Sequence, residues 1–313
     1  MEFMNLSDKP LRFGGSKEGL LKMIVLPDYS PGREGLPVGV VGVYDRMSHE
    51  VQADYLGPDI GCGMTLAKFE RPLEGLEYLT HNAASRLKSS SSELRSLGGG
   101  NHFITFYEAV KIAEDSEVGL QAEDNLVLVH SGSGELGRQV YAHGVSGGRF
   151  MGVYDRLIGF GLQNRKNILD LIQSMAKNRM EIVSNHPHNT VELDDEQVTY
   201  RKGAIKLLPG EITVIPSSMG GDALIVRAKP QIVELENSMC HGTGRKISRS
   251  SAKSRDFDFT DLRKRVFIPS FIRDKNIQSE HPDCYRKIEE VYPAIRQYLD
   301  LIGVLSPRSF LCS

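Results

Sequence analysis

The chain has 313 residues, of which 25% are charged and 40% hydrophobic, with a net charge of −2. Those proportions match soluble globular proteins. They give no global basic field for a polynucleotide partner, although a local patch is enough for phosphate contacts. No apolar run approaches the roughly 18 residues of a membrane helix, so a membrane partner is not expected. The four cysteines, Cys62, Cys240, Cys284 and Cys312, are scattered and form no Cys-x-x-Cys pair. Residues 1–11 are polar and broken by Pro10. A reduced, cytoplasmic setting is therefore expected, with cysteines as buried thiols or metal ligands.

In chain order, the β-branched runs at residues 38–43, 126–129 and 212–215 predict strands. Short glycine clusters lie at residues 57–63, 98–100, 132–137, 220–221 and 242–244. A strand followed by a glycine-rich polar loop presents functional groups at the end of a sheet. Helical spacing covers residues 73–87, 157–175 and 288–302, the second with Ile168, Leu171, Ile172 and Met175 on one face. Residues 89–92 read as a flexible surface loop. Strands and helices intermingle without regular alternation, which predicts an α+β fold. No repeat or linker interrupts the chain, so one domain over residues 1–313 is expected.

Potential metal ligands fall in the glycine-bordered loops. Asp59 and Cys62 lie in Pro58-Asp-Ile-Gly-Cys-Gly-Met64, His102 in Gly98-Gly-Gly-Asn-His-Phe103, His130 in His130-Ser-Gly-Ser133, and His188 in Asn185-His-Pro-His-Asn189. Asp-x-x-Cys spacing brings a carboxylate and a thiolate into one tight turn, and a thiolate can bridge two cations. Taken alone, a histidine after a strand is more often a hydrogen-bonded structural residue than a ligand, and a lone Cys62 more often a buried filler.

His241 lies in Cys240-His-Gly-Thr-Gly-Arg-Lys-Ile-Ser-Arg249, where glycines admit a large group beside the imidazole. Arg245 and Arg249 are four apart, so on a helix they would share a face and clamp phosphate. Arg201-Lys-Gly-Ala204 and Pro216-Ser-Ser-Met-Gly-Gly221 offer further anion contacts. Residues 245–265 carry eight cations against three aspartates, a stretch suited to a polynucleotide backbone, although such a charge run is usually just a solvated face.

In this order the segments resemble the signature series of the RtcB ligases. The series starts at Leu26-Pro-Asp-Tyr-Ser-Pro-Gly32 and runs to Pro282-Asp-Cys-Tyr-Arg-Lys-Ile288. The resemblance implies an RtcB-like fold of mixed and antiparallel sheets flanked by helices, with the metal site in glycine-rich loops at strand ends. It implies joining of an RNA 3′-phosphate, or 2′,3′-cyclic phosphate, to a 5′-hydroxyl with GTP and Mn2+. Two metal sites would share Cys62, with His130 and His188 completing one and Asp59 and His102 the other. His241 would take GMP covalently, and Asp28 would assist attack by the 5′-hydroxyl. Asn101, Ser218, Met219, Gly220, Gly242, Gly244, Arg245 and Tyr285 would surround the nucleotide. Lys202, Arg245 and Arg249 would hold nucleic-acid phosphates. The implied partners are RNA with those ends and an activating protein.

The chain departs from the family pattern at several positions. Thr105 stands where a guanine-reading glutamate is usual, Cys312 where a terminal lysine is usual, and Ala223 where a serine is usual. Gly134 and Glu135 follow His-Ser-Gly-Ser in place of an arginine, and Ser30 replaces a common histidine. Two alternative readings follow from these changes. One is an enzyme that caps RNA or DNA 3′-phosphates with a nucleotide; the other is a non-catalytic, metal-containing RNA-binding protein.

Overall fold

The computed structural model describes residues 1–13, 15–30, 36–89, 94–97, 102–114 and 118–312. Most of the expected loop at 89–92 lies outside the described residues, as do residues 98–100 and Asn101.

In chain order the strands are β1 (Glu2–Asn5), β2 (Leu20–Ser30), β3 (Val38–Asp45), β4 (Gly63–Phe69), β5 (Phe103–Ile112), β6 (Asn125–Ser131) and β7 (Met180–Pro187). They continue with β8 (Asn189–Leu193), β9 (Gln197–Lys202), β10 (Ala204–Lys206), β11 (Ile212–Pro216), β12 (Ala223–Ala228), β13 (Ser238–Cys240) and β14 (Leu299–Cys312). The helices are α1 (Leu76–Ser89), α2 (Gly134–Ala142), α3 (Gly147–Ala176), α4 (Arg249–Lys253), α5 (Thr260–Arg265), α6 (Asp274–Ile277) and α7 (Ile288–Ile295). The fold is α+β.

Among the described residues the strands form three sheets: β1-β2-β3-β9-β8, β10-β13, and β11-β12-β14-β5-β6-β4-β7. Pairing is antiparallel throughout except between β1 and β2. In β2, Met23 and Val25 enter one core while Ile24 and Leu26 enter another, so the strand is apolar on both faces. The seven-stranded sheet repeats this. Ala67, Phe69, Phe106 and Val127 face α1 and α3, while Leu66, Tyr107, Leu126 and Leu128 face inward. That inner face is sheltered because the sheet curls until its edge strands meet, with His186 Nε2 2.9 Å from the Ile212 carbonyl of β11. Each fully buried large apolar side chain contributes about 1.5–3 kcal/mol.

The three expected strands occur, each within a longer or equally long element. The helix expected at 73–87 is α1, and the one at 157–175 forms the greater, C-terminal part of α3. The third expectation needs correction. α7 ends at Ile295, past an internal Pro293, and residues 299–302 open β14. Apolar spacing there fits a helix, but Leu299–Cys312 fills the slot between β12 and β5, and that pairing decides its conformation. No described helix is long and apolar enough to cross a membrane.

Candidate active site

Strand register brings the histidines together. β5, β6, β4 and β7 are neighbours, and Phe103 pairs with His130, Gly63 with Ser131, and Gly63 with Pro187. Cys62, His102, His130 and His188 therefore all sit at the same end of adjacent strands, where chain spacing is about 4.8 Å. Cys62 Sγ lies 3.2 Å from His102 Nε2 and 3.1 Å from His130 Nε2. His130 Nε2 is in turn 3.2 Å from His188 Nε2. Among the described residues, the donor atoms of Cys62, His102 and His130 all fall within 4.8 Å of one another. The Asp59 carboxylate is outside that group, although its charge acts on both Cys62 and His102.

The turn that carries Cys62 is tied to the His188 segment. Asp59 O accepts from Cys62 N at 2.9 Å and from Asn189 Nδ2 at 2.9 Å, and His188 N donates to Cys62 O at 2.8 Å. The Leu97 carbonyl contacts His102 Nδ1. Burial, and then the neighbouring histidines, holds His130 and His188 well below the ordinary imidazole value. Burial also lowers His102. Neutral imidazoles carry the lone pairs a metal needs, and the S/N donor set suits a transition-metal ion. Burial raises the Cys62 thiol, Asp59 adds to that, and Arg165 opposes it. A bound cation would favour the thiolate, so this residue set fits a metal.

α3 reaches the cluster through two polar residues on its buried face. Arg165 is fully buried and donates to Ser131 O at 2.8 Å, Gly61 O at 3.3 Å, Thr65 Oγ1 at 3.1 Å and Asn185 Oδ1 at 3.4 Å. Asn164 Oδ1 accepts from Arg95 N at 2.7 Å, and its Nδ2 donates to Ser96 O at 2.8 Å and Ser131 Oγ at 3.2 Å. α3 can come this close because residue 161 is glycine: a Cβ there would lie 2.5 Å from the Gly61 carbonyl.

His241 follows β13. Its Nδ1 lies 2.7 Å from the Gly203 carbonyl and 2.7 Å from Asp28 Oδ2. The hydrogen bond goes to Gly203, so both oxygens of the fully buried Asp28 carboxylate are left without a hydrogen-bond partner. Burial pulls the imidazole pKa down, but the Asp28 contact and charge outweigh it and the net direction is up. The His241 ring centroid is 4.5 Å from that of His188. Gly244, at φ +76°, lets the loop lie against Asp28, where a Cβ would meet the Asp28 carbonyl at 2.4 Å.

A cavity of about 580 Å³ has both His130 and His241 in its wall, a size suited to a small ligand. Asp28, Ser218, Met219, Gly242, Gly244, Arg245, Arg249 and Tyr285 also line it. Gly220 packs beneath, against Leu262. The expected shared helix face of Arg245 and Arg249 is not what forms. Arg245 pairs with Tyr285 in an isolated bridge, and Arg249 opens α4. The two still converge, because Glu280 Oε1 lies 3.7 Å from Arg245 Nη1 and 3.4 Å from Arg249 Nε. Arg245 Nη1 also donates to Tyr285 Oη at 2.7 Å, and Arg245 Nη2 is buried without a hydrogen-bond partner.

Lys202, at the end of β9, is not in the cavity wall and reaches toward Gly57. Thr105 and Ser30 line the cavity, while Ala223 belongs to the core inside the curled sheet. Cys312 pairs with Phe103 at the end of β14. Glu135 is taken up by Arg138, one turn along α2, at 2.8 Å. Sequence reasoning missed Asn164, Arg165, Gly203 and Glu280. The first two had a signal: polar residues in the middle of the apolar stripe of α3.

A family model described as tRNA-splicing ligase RtcB matches residues 77–147 and 148–307. The chain is 30% identical to RNA-splicing ligase RtcB2 of Escherichia coli, covering 97% of this chain and 89% of that protein. It is 26% identical to RNA-splicing ligase RtcB of Escherichia coli K12, over 79% of this chain and 67% of that protein. It is 24% identical to tRNA-splicing ligase RtcB of Thermococcus kodakarensis, over 88% and 83%.

Proposed function

This chain belongs to the RtcB family, and from that premise we propose that it is an RNA ligase acting in RNA repair or tRNA splicing. It joins an RNA 3′-phosphate, or 2′,3′-cyclic phosphate, to a 5′-hydroxyl through a covalent histidine–GMP intermediate on His241. The observation that carries this reading is the pinned imidazole. With Nδ1 hydrogen-bonded to Gly203 O and 2.7 Å from the Asp28 carboxylate, Nε2 is left as the reactive nitrogen, in a cavity whose wall also includes His130 of the histidine–cysteine cluster.

The attacking form is the neutral imidazole; because the Asp28 carboxylate, against the effect of burial, raises the ring's pKa, Nε2 gives up its proton to solvent before it attacks. Nε2 attacks the α-phosphorus of GTP, forming a P–N bond as the P–O bond to pyrophosphate breaks. The ring then carries positive charge, which the Asp28 carboxylate and the Gly203 carbonyl stabilise. Where the RNA ends in a 2′,3′-cyclic phosphate, water first opens it, breaking the P–O2′ bond to leave a 3′-phosphate and a 2′-hydroxyl. An oxygen of the RNA 3′-phosphate then displaces the imidazole, whose nitrogen recovers its electron pair. The 5′-hydroxyl oxygen attacks the activated phosphate with Asp28 assisting, its proton passes on to water, and GMP leaves.

Arg245 and Arg249 hold phosphates at the mouth of the cavity, and Lys202 holds RNA. Asn101, Ser218, Met219, Gly220, Gly242, Gly244 and Tyr285 surround the nucleotide. Two Mn2+ ions, one shared by Cys62, His130 and His188 and the other by Cys62, Asp59 and His102, would screen the phosphate charge. Thr105 carries no carboxylate, and its hydroxyl is engaged with Tyr107, so preference for guanine is expected to be shallow.

The test is incubation with Mn2+ and GTP radiolabelled at the α-phosphate, followed by denaturation. Acid-labile label that is absent from His241→Ala is the expected result. Joined product from RNAs ending in 3′-phosphate and 5′-hydroxyl should accompany it. Protein that binds metal yet takes no label from any nucleotide would rule the reaction out. Label without joined product would favour the capping reading.

A further inference from the structure

The metal-cluster reading leaves unexplained why α3 buries an amide and a guanidinium side by side in an otherwise apolar stripe. Arg165 forms no ion pair with a carboxylate among the described residues, so its charge is not there to neutralise an acid. Burying such a group is costly unless its donors are used. They are used on backbone and side-chain acceptors next to the candidate ligands.

Gly61 O precedes Cys62, Ser131 O follows His130, and Asn185 lies three residues before His188. Asn164 completes the set from the other side. It clamps Arg95 and Ser96, one residue before the Leu97 carbonyl that contacts His102 Nδ1, and it also reaches Ser131 Oγ. One turn of α3 thus touches every segment that supplies a histidine or the cysteine to the cluster. Gly161, one turn earlier, removes the side chain that would hold the helix away.

We propose that Asn164 and Arg165 are a positioning pair for the metal site, fixing the mutual spacing of Cys62, His102 and His130 and thereby the affinity for divalent metal. The proposal rests on the metal-cluster reading. Neither residue lines the cavity; they act through the backbone and side chains flanking the ligands. Outer partners of this kind typically change metal affinity by about 10–100-fold when replaced.

The experiment is a Co2+ titration of the full-length chain, read by the thiolate-to-cobalt absorption band, with far-UV circular dichroism and metal-free melting measured in parallel. Arg165→Lys keeps the charge but cannot reach the carbonyls as a planar fork; Asn164→Ala removes the clamp on the 95–96 backbone. Both are expected to bind cobalt about 10–100-fold more weakly while their folded fraction at the titration temperature matches the unmodified chain. A merely structural role would lower the melting temperature without changing the affinity of folded protein, and that result would overturn the proposal. If Arg165→Lys does not fold, Asn164→Ala decides alone. Absence of the band in the unmodified chain would instead defeat the metal-cluster reading, and the proposal with it.

Discussion

Asp28 and Glu280 are the two carboxylates that line the cavity among the described residues, and their surroundings differ sharply. Asp28 is fully buried against one imidazole nitrogen, while Glu280 sits between two guanidinium groups and a phenol. Asp28→Asn keeps the shape but loses the charge that offsets the developing imidazolium. It is expected to slow histidine labelling by on the order of 100-fold or more, measured as the initial rate of label uptake. Glu280 fills space between Arg245 and Arg249 that a phosphate could use. Glu280→Gln is therefore expected to bind inorganic pyrophosphate roughly tenfold more tightly at low salt, with the gain shrinking as salt rises. Weaker binding by calorimetry would mean that Glu280 holds the arginines in place.

At the scale of elements, α3 carries a paired test. A Cβ at Gly161 would press on the Gly61 carbonyl at 2.5 Å, whereas a Cβ at Gly159 would meet nothing within 4 Å. Gly161→Ala is expected to destabilise the protein by about 1–3 kcal/mol, as overpacking does. Gly159→Ala should be neutral or stabilise by up to about 1 kcal/mol through helix propensity. Denaturant midpoints of the two variants check this, and equal shifts would contradict the close approach of helix and turn.

The same helix shows what sequence could and could not disclose. Its second half was legible because Ile168, Leu171 and Ile172 recur at helical spacing. Its first half was not, since Gly147, Gly148 and Gly152 are poor helix formers and only docking on the rest of the protein settles their conformation. β14 failed for the complementary reason, because its partners lie far away in sequence. Cys62, His102 and His130 could be singled out by their glycine-rich settings and His188 by its Asn-His-Pro-His-Asn segment, but their convergence depends on strand register, which no local pattern encodes. Arg165 stands in the apolar stripe of its helix, but its partners at residues 61, 65, 131 and 185 come together only once the sheet has formed.

Over the whole molecule, the five-stranded sheet contains a buried aromatic group in which His49 stacks on Tyr44 at 4.2 Å and meets Tyr200 Oη at 2.9 Å. Burial holds the His49 imidazole below its ordinary value, and the charge of Glu50 does not fully offset this. The unfolded chain, with a histidine pKa near about 6.5, binds the proton more readily. Its contribution to stability is therefore present above about pH 6.5 and lost as the pH falls through the depressed folded value. His49→Phe keeps a ring but cannot take a proton. Its melting temperature should fall less between about pH 7 and pH 5 than that of the unmodified chain, and parallel declines would argue against a buried neutral His49.

His188 stands between β7 and β8 as the single residue that carries the chain from the seven-stranded sheet into the five-stranded one. Cys62, His102 and His130 ride on the first sheet, while Asp28 and, through Gly203, the His241 imidazole are referenced to the second. The contact between the His188 and His241 rings, 4.5 Å between centroids, therefore bridges a joint between two plates. If the proposed metal is held by His188 as well as by Cys62 and His130, it would act on that joint as a rivet, and filling the cluster would also fix where the His241 imidazole stands.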